Sequence, residues 1–259
     1  MTHPSGAPLL QMLLAQTRCE LLMRWRVPAF SVTNLALPIV FFVFFGLPVA
    51  HLTRGDGVSV GAYLLASFGA YAVGNVMVYG FGIGVANERG MKVDRLMRAS
   101  PLPPLVFMLA KIITALIFAL VALSLLIGFG IVGGGVKQPA AVWATIIARL
   151  LAGSLPFIGL GFWIGYWSGP NAAPAVANLI YLPLSFASGL FVPLNQLPEF
   201  VRTVAPYLPS YHYAQLAWSA LGAGKEPLGE SLLWLVGYSA LFLTLAVRAY
   251  RREERAKFA

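Results

Sequence analysis

From Gly57 to Asn87 the chain runs thirty-one residues with no ionisable side chain other than tyrosine. A soluble domain has no need of such a stretch, whereas a helix in a bilayer requires one, because about 20 apolar residues cover about 30 Å of hydrocarbon. Similar stretches recur, and charged residues make up only 10% of the chain, against roughly 25% in a soluble domain. The whole chain is therefore read as one membrane domain, residues 1–259, with no polar block long enough for a separate soluble unit. The net charge of +9 does not point to nucleic acid, because the cations gather beside apolar spans, where they set orientation. The single cysteine, Cys19, can form no internal disulfide. The N-terminus lacks a basic region followed by an apolar core and a small-residue cleavage site, so no cleaved signal peptide is expected.

The expected architecture is all-α, with six transmembrane helices over residues 29–50, 61–86, 105–132, 140–167, 172–192 and 230–250. The fourth and fifth are joined by a tight turn, 168–173, whose Gly169 and Pro170 break the helix. Six crossings put twelve cations on one side: Arg18, Arg24 and Arg26, then Arg89, Lys92, Arg95 and Arg98, and in the tail Arg248, Arg251, Arg252, Arg255 and Lys257. Only Arg54, Lys137, Arg202 and Lys225 fall on the other. That asymmetry predicts cytoplasmic N- and C-termini in a multi-pass cell-membrane protein. Residues 8–28 read as a helix with an apolar stripe of Leu10, Leu13, Leu14, Leu21 and Trp25. It either lies in the membrane interface with its cations toward headgroups, or packs as an extension of the first span. Arg24 sits close to the apolar stripe, which makes the amphipathicity only moderate.

The second loop, residues 87–104, interleaves charges of both signs with Leu96 and Met97. Gly90 permits a break after the second span, and Pro101, Pro103 and Pro104 stop whatever helix forms. A short charged helix between two breaks suits docking into a cytoplasmic partner; a solvated loop that serves only topology is the plainer reading. Glu88-Arg89-Gly90, then Leu96-Met97, Ala99-Ser100-Pro101 and Lys111, resemble the second-loop signature of ABC-2 type transporter permeases. Ser188-Gly189-Leu190-Phe191-Val192-Pro193, then Leu197-Pro198 and residues 205–211, are similar to the segment that precedes the last span in that family. Val93-Asp94 departs from the pattern, since many members carry a glutamate closer to the glycine.

The resemblance implies a membrane subunit of an ATP-binding-cassette exporter of the drug- or antibiotic-export kind. It implies two permease copies, homodimer or heterodimer, and a separate ATPase subunit that carries ATP and Mg²⁺, with no cofactor on this chain. The coupling helix would use Glu88, Arg89, Gly90, Lys92, Arg95, Leu96, Met97 and Arg98. Residues 193–211 would re-enter the membrane from outside, with Gly189, Pro193, Leu197, Phe200 and Pro206 as its markers and Pro206 and Pro209 ending its short helix.

No enzyme constellation is expected. No Gly-x-x-x-x-Gly-Lys-Ser/Thr phosphate loop occurs, and His3, His51 and His212 are scattered without a second ligand at metal spacing. Within the spans, Asn75, Tyr79, Asn178, Tyr181, Ser185 and the cation Arg149 are the candidates for a translocation path. Interhelical hydrogen bonds and snorkelling are the plainer uses of the same groups. The cargo implied is amphipathic, drug-like or lipid-like. A secondary transporter or channel without an ATPase is the alternative, for which titratable groups or broken helices near the midplane are the signature.

Overall fold

The structure is a computed structural model that describes residues 8–26, 28–93 and 102–258. Among these, regular structure is helical throughout, save one isolated bridge between Thr53 and Ser59. Helix α1 is Leu9–Trp25, and α2 is Pro28–Phe41, continued by a π turn at Phe42–Gly46 and a 3-10 turn at Leu47–Val49. Helix α3 is Val60–Gly90, α4 is Pro104–Val132, α5 is Ala140–Ala152, α6 is Leu155–Trp167 and α7 is Ala173–Ala187. A short α8, Glu199–Val204, leads into α9, Pro209–Trp218, and the long α10 is Leu228–Phe258.

Four helical stretches are long and apolar enough to cross a membrane: Val60–Gly90, Leu105–Val132, Ala140–Trp167 and Leu228–Arg255. Asn34–Val49 and Ala173–Ala187 are apolar but shorter. The chain is thus a multi-pass membrane protein.

Helix α3 is the axis of the bundle. Ser59 caps it by accepting from the Ala62 amide at 3.4 Å. Every residue from Gly61 to Val78 is buried, with α2, α4, α6, α7 and α9 packed around it. Glycines let α6 lie directly on α3. A Cβ added at Gly161 would stand 2.8 Å from the Met77 carbonyl oxygen, and one at Gly165 would stand 2.8 Å from Val85 Cβ. Backbones this close are the usual means of packing helices in lipid.

Two expectations change. The fourth span is two helices, α5 and α6, interrupted at Gly153-Ser154. The break sits where α9 leans in: a Cβ at Gly153 would collide with Leu216 and come within 3.3 Å of Tyr213. Pro209 does not end a helix but occupies the first turn of α9, where its missing N–H costs nothing. Helix α9 extends well past residue 211 and is buried along its entire length. The stripe on α1 divides: Leu10, Leu14 and Trp25 are exposed, Leu13 and Leu21 are half-buried, and Thr17, Glu20 and Arg24 turn their polar side to the bundle.

Candidate functional site

The first two residues of the Glu88-Arg89-Gly90 signature end α3 and reach in opposite directions. Glu88 pairs with Lys111 near the start of α4, and Lys111 Nζ lies 2.8 Å from Glu20 Oε1 of α1. Lys111 and Glu20 are each only 3% exposed, so neither charge is solvated by water. Arg24, one turn beyond Glu20, donates to the Gly80 carbonyl at 3.4 Å. Its burial lowers the guanidinium pKa from the ordinary value, and the charges of Glu20 and Glu88 oppose that shift. Two acids and two bases from three helices thus form one neutral cluster.

Arg89 turns toward the far side of the same end. Its Nη1 donates to the Ser168 carbonyl at 3.1 Å and to that of Gly165, capping the C-terminus of α6 where the helix dipole is negative. Its Nε stands 2.6 Å from Glu253 Oε2 of α10, an ion pair rather than a straight hydrogen bond. Gly90 is the last residue of α3, and its lack of a side chain matters for contact: a Cβ there would lie 2.6 Å from Pro170 Cγ in the turn between α6 and α7. The left-handed backbone that breaks the chain falls instead on Lys92, at φ 58°, and Lys92 is exposed. Arg95, Leu96, Met97 and Arg98 lie outside the described residues.

Of the path candidates, the structure gathers four around α3. Asn75 Nδ2 donates to Asn34 Oδ1 at 2.7 Å, a buried link from α3 to α2. Tyr181 of α7 donates to the Tyr71 carbonyl at 2.9 Å and fills the space that Gly74 leaves. Tyr79 donates to Asn178 of α7, and this pair stands at the outside of the protomer. Tyr79, Ile83 and Asn87, four residues apart, form an incompletely buried stripe of α3 toward its charged end. Ser185 is fully buried and bonds back to the Tyr181 carbonyl within its own helix. Arg149 lies elsewhere. It donates to Ser219 Oγ at 2.9 Å and to the Leu216 carbonyl at 3.3 Å, holding the end of α9.

At the opposite end, the segment before α10 is anchored by groups that sequence reasoning passes over. Tyr213 donates to the Leu150 carbonyl at 2.5 Å, and Trp218 Nε1 donates to Ser67 Oγ at 2.8 Å while stacking on Tyr63 at 5.0 Å. Gly189 adopts φ 80°, a backbone only glycine takes easily, and a Cβ there would meet Leu194 at 2.7 Å. Pro193 and Leu197 are half-buried, and Phe200 is 72% exposed. The Pro206 carbonyl accepts from His212 Nε2 at 2.7 Å. Signals for the missed partners are slight: Glu20 is a lone acid among Arg18, Arg24 and Arg26, and Glu253 sits in a basic tail. Among the described residues no group of His, Cys, Asp and Glu is arranged to hold a metal ion.

A bundle of apolar helices with this signature at one end defines a transport permease. Residues 45–248 match the family model described as ABC-2 family transporter protein, and the chain belongs to that family. It is similar to YvfS of Bacillus subtilis (strain 168), named as a transport permease, at 27% identity over 87% of this chain and 91% of that protein. A shorter likeness, 32% identity over 29% of this chain and 20% of the relative, is to YhhJ of Escherichia coli (strain K12), named as an inner membrane transport permease.

Proposed function

We propose that this chain is the membrane half of an ATP-driven exporter. In this reading six helices cross the cell membrane, the two short apolar ones among them, with both termini and the loop after α3 in the cytoplasm. Twelve cations on that side against four on the other support the orientation. A separate ATPase subunit carries ATP and Mg²⁺, and two permease copies enclose the path for an amphipathic, drug-like or lipid-like cargo. The chain itself is not an enzyme; α1 lies along the interface, and residues 193–211 with α9 re-enter from outside.

One observation carries the reading: the loop proposed to meet the ATPase leaves α3 directly after Glu88 and Arg89, which are ionically tied to α1, α4 and α10. A push on that loop is therefore delivered to three helices at once. The Tyr79–Asn178 pair, with Ile83 and Asn87 beside it, is the surface of α3 and α7 left for a second copy or for cargo.

The test is co-reconstitution with the cognate ATPase subunit. Stimulated ATP hydrolysis and ATP-dependent efflux are expected, and Arg89→Glu, which sets an acid against Glu253, lowers the stimulation roughly tenfold or more. Efflux driven by a proton gradient with no ATPase present would overturn the reading in favour of a secondary transporter.

A further inference from the structure

At the charged end of the bundle a crevice of about 660 Å³ lies between the first half of α4 and the last half of α10, with α6 as its floor. Its interior is apolar: Ile158 and Phe162 form the floor, Ile112 and Leu243 the walls. Toward the charged end its lining carries Glu88, Arg89, Lys111, Glu253 and Glu254, three acids and two bases, with Arg89 and Glu253 paired at the rim.

The walls are fixed. Helix α4 is tied to α1 and α3 through Lys111. Helix α10 is seated on α6 at Gly159, where an added Cβ would stand 3.2 Å from the Leu243 amide nitrogen. The floor cannot rise, because Gly161 and Gly165 already hold α6 against α3. The crevice is therefore preformed, and its volume falls in the range of small-molecule sites. Met108 and Val247, at its sides, are 38% and 47% exposed, so it opens laterally onto whatever surrounds the helices.

In a bilayer that surrounding is hydrocarbon. An empty apolar space of this size forfeits dispersion contacts along all its walls, and water would find too few polar partners there to compensate. An acyl chain fills it without either cost. We propose that the crevice is a binding site for one phospholipid of the adjoining leaflet, its chain between α4, α6 and α10 and its zwitterionic headgroup at the Arg89–Glu253 rim. The site stands whether or not an ATPase drives the chain.

The experiment uses the full chain in nanodiscs containing phosphatidylethanolamine with a diazirine on one acyl chain, irradiated and mapped by peptide mass spectrometry. Label is expected on the stretches of α4, α6 and α10 that border the crevice. Ile158→Trp, which fills the floor, should lower that labelling roughly tenfold or more, whereas Leu179→Trp on the exposed face of α7 should leave it unchanged. Leu243→Trp fills the same space from α10 and replaces the first variant if that one does not fold. Even labelling along all outward-facing helices, or labelling insensitive to the filling variant, would overturn the proposal. So would competition by free palmitate as effective as that by the phospholipid, because the rim would then read no headgroup.

Discussion

The two ends of this bundle are closed by different chemistry. At one end, helices distant in sequence are joined by charges: Glu20 to Lys111 across 91 positions, Glu88 to the same lysine, and Arg89 to Glu253. At the other, α9 is held mainly by hydrogen bonds from Tyr213, Trp218 and Arg149 within a packing of aromatic rings, with His212 Nδ1 3.2 Å from Glu226 Oε2 at its edge. The difference lies in what happens when one contact is lost. A buried ion cluster is all or nothing, since removal of one member strands the others in a medium that cannot solvate them. Interhelical hydrogen bonds in membranes average ~0.6 kcal/mol, so each can open while its neighbours hold. The charged end is built to move as a unit, and the aromatic end is built to loosen in steps.

The comparison is most exposed to a substitution at Lys111. Lys111→Met leaves Glu20 and Glu88 with Arg24 as the remaining cation, one acid in excess, and a loss of about 3–5 kcal/mol is expected. Thermal unfolding in detergent, followed by tryptophan fluorescence, measures it. Adding Glu88→Gln should restore much of that loss, because Glu20 and Arg24 then remain as a neutral pair. If Lys111→Met alone were neutral, the ion cluster would not be what closes this end.

A second change probes what connects the ends. Gly161→Ala places a methyl group 2.8 Å from the Met77 carbonyl and 2.9 Å from Phe81 Cβ, so α6 must shift away from α3. A cost of about 1–3 kcal/mol is expected in the same unfolding assay. Because α6 bears the Arg89 contact at its C-terminus and follows directly on the α9 contact at Gly153, this variant should also weaken ATPase stimulation without touching either end. Stability lost with stimulation intact would mean that the two ends work independently.

Much of this is legible in the sequence, for reasons that also explain the gaps. Apolar stretches are set by the thickness of hydrocarbon, and a 31-residue run such as Gly57–Asn87 admits few alternatives. The Glu88-Arg89-Gly90 signature stands out at the end of α3, but single-sequence spacing cannot show that Arg89 reaches Gly165 and Ser168 of α6, 76 and 79 positions away. Gly90 reads as a source of flexibility, whereas the structure uses its smallness against Pro170. Helix α9 is the hardest to see. It is surrounded by protein rather than lipid, so Ser210, His212 and Gln215 are tolerated inside it and no apolar run announces it. Pro209 compounds this, because proline both stops helices and starts them. The buried polar side of α1 has the same origin: Glu20 and Arg24 find partners in Lys111 and Gly80.

The smallest effect is expected at the aromatic end, and it is the sharpest test of the contrast. Tyr213→Phe deletes the hydroxyl that donates to the Leu150 carbonyl and leaves the ring packed on Phe157. The Gly153 and Ser154 amides bond to the Arg149 and Leu151 carbonyls rather than to Leu150, and about 0.6–1 kcal/mol is the expected loss. Trp218→Phe should cost more, up to about 1.7 kcal/mol, because it also frees Ser67 Oγ and reduces the stack on Tyr63. Ser67 retains a bond to the Tyr63 carbonyl at 3.0 Å, which limits that cost. Combined, the two changes should add, since a stepwise closure has no shared member whose loss counts twice. A combined loss well above the sum would mean that α9 releases as one cooperative piece, and the two ends would then differ in chemistry but not in behaviour.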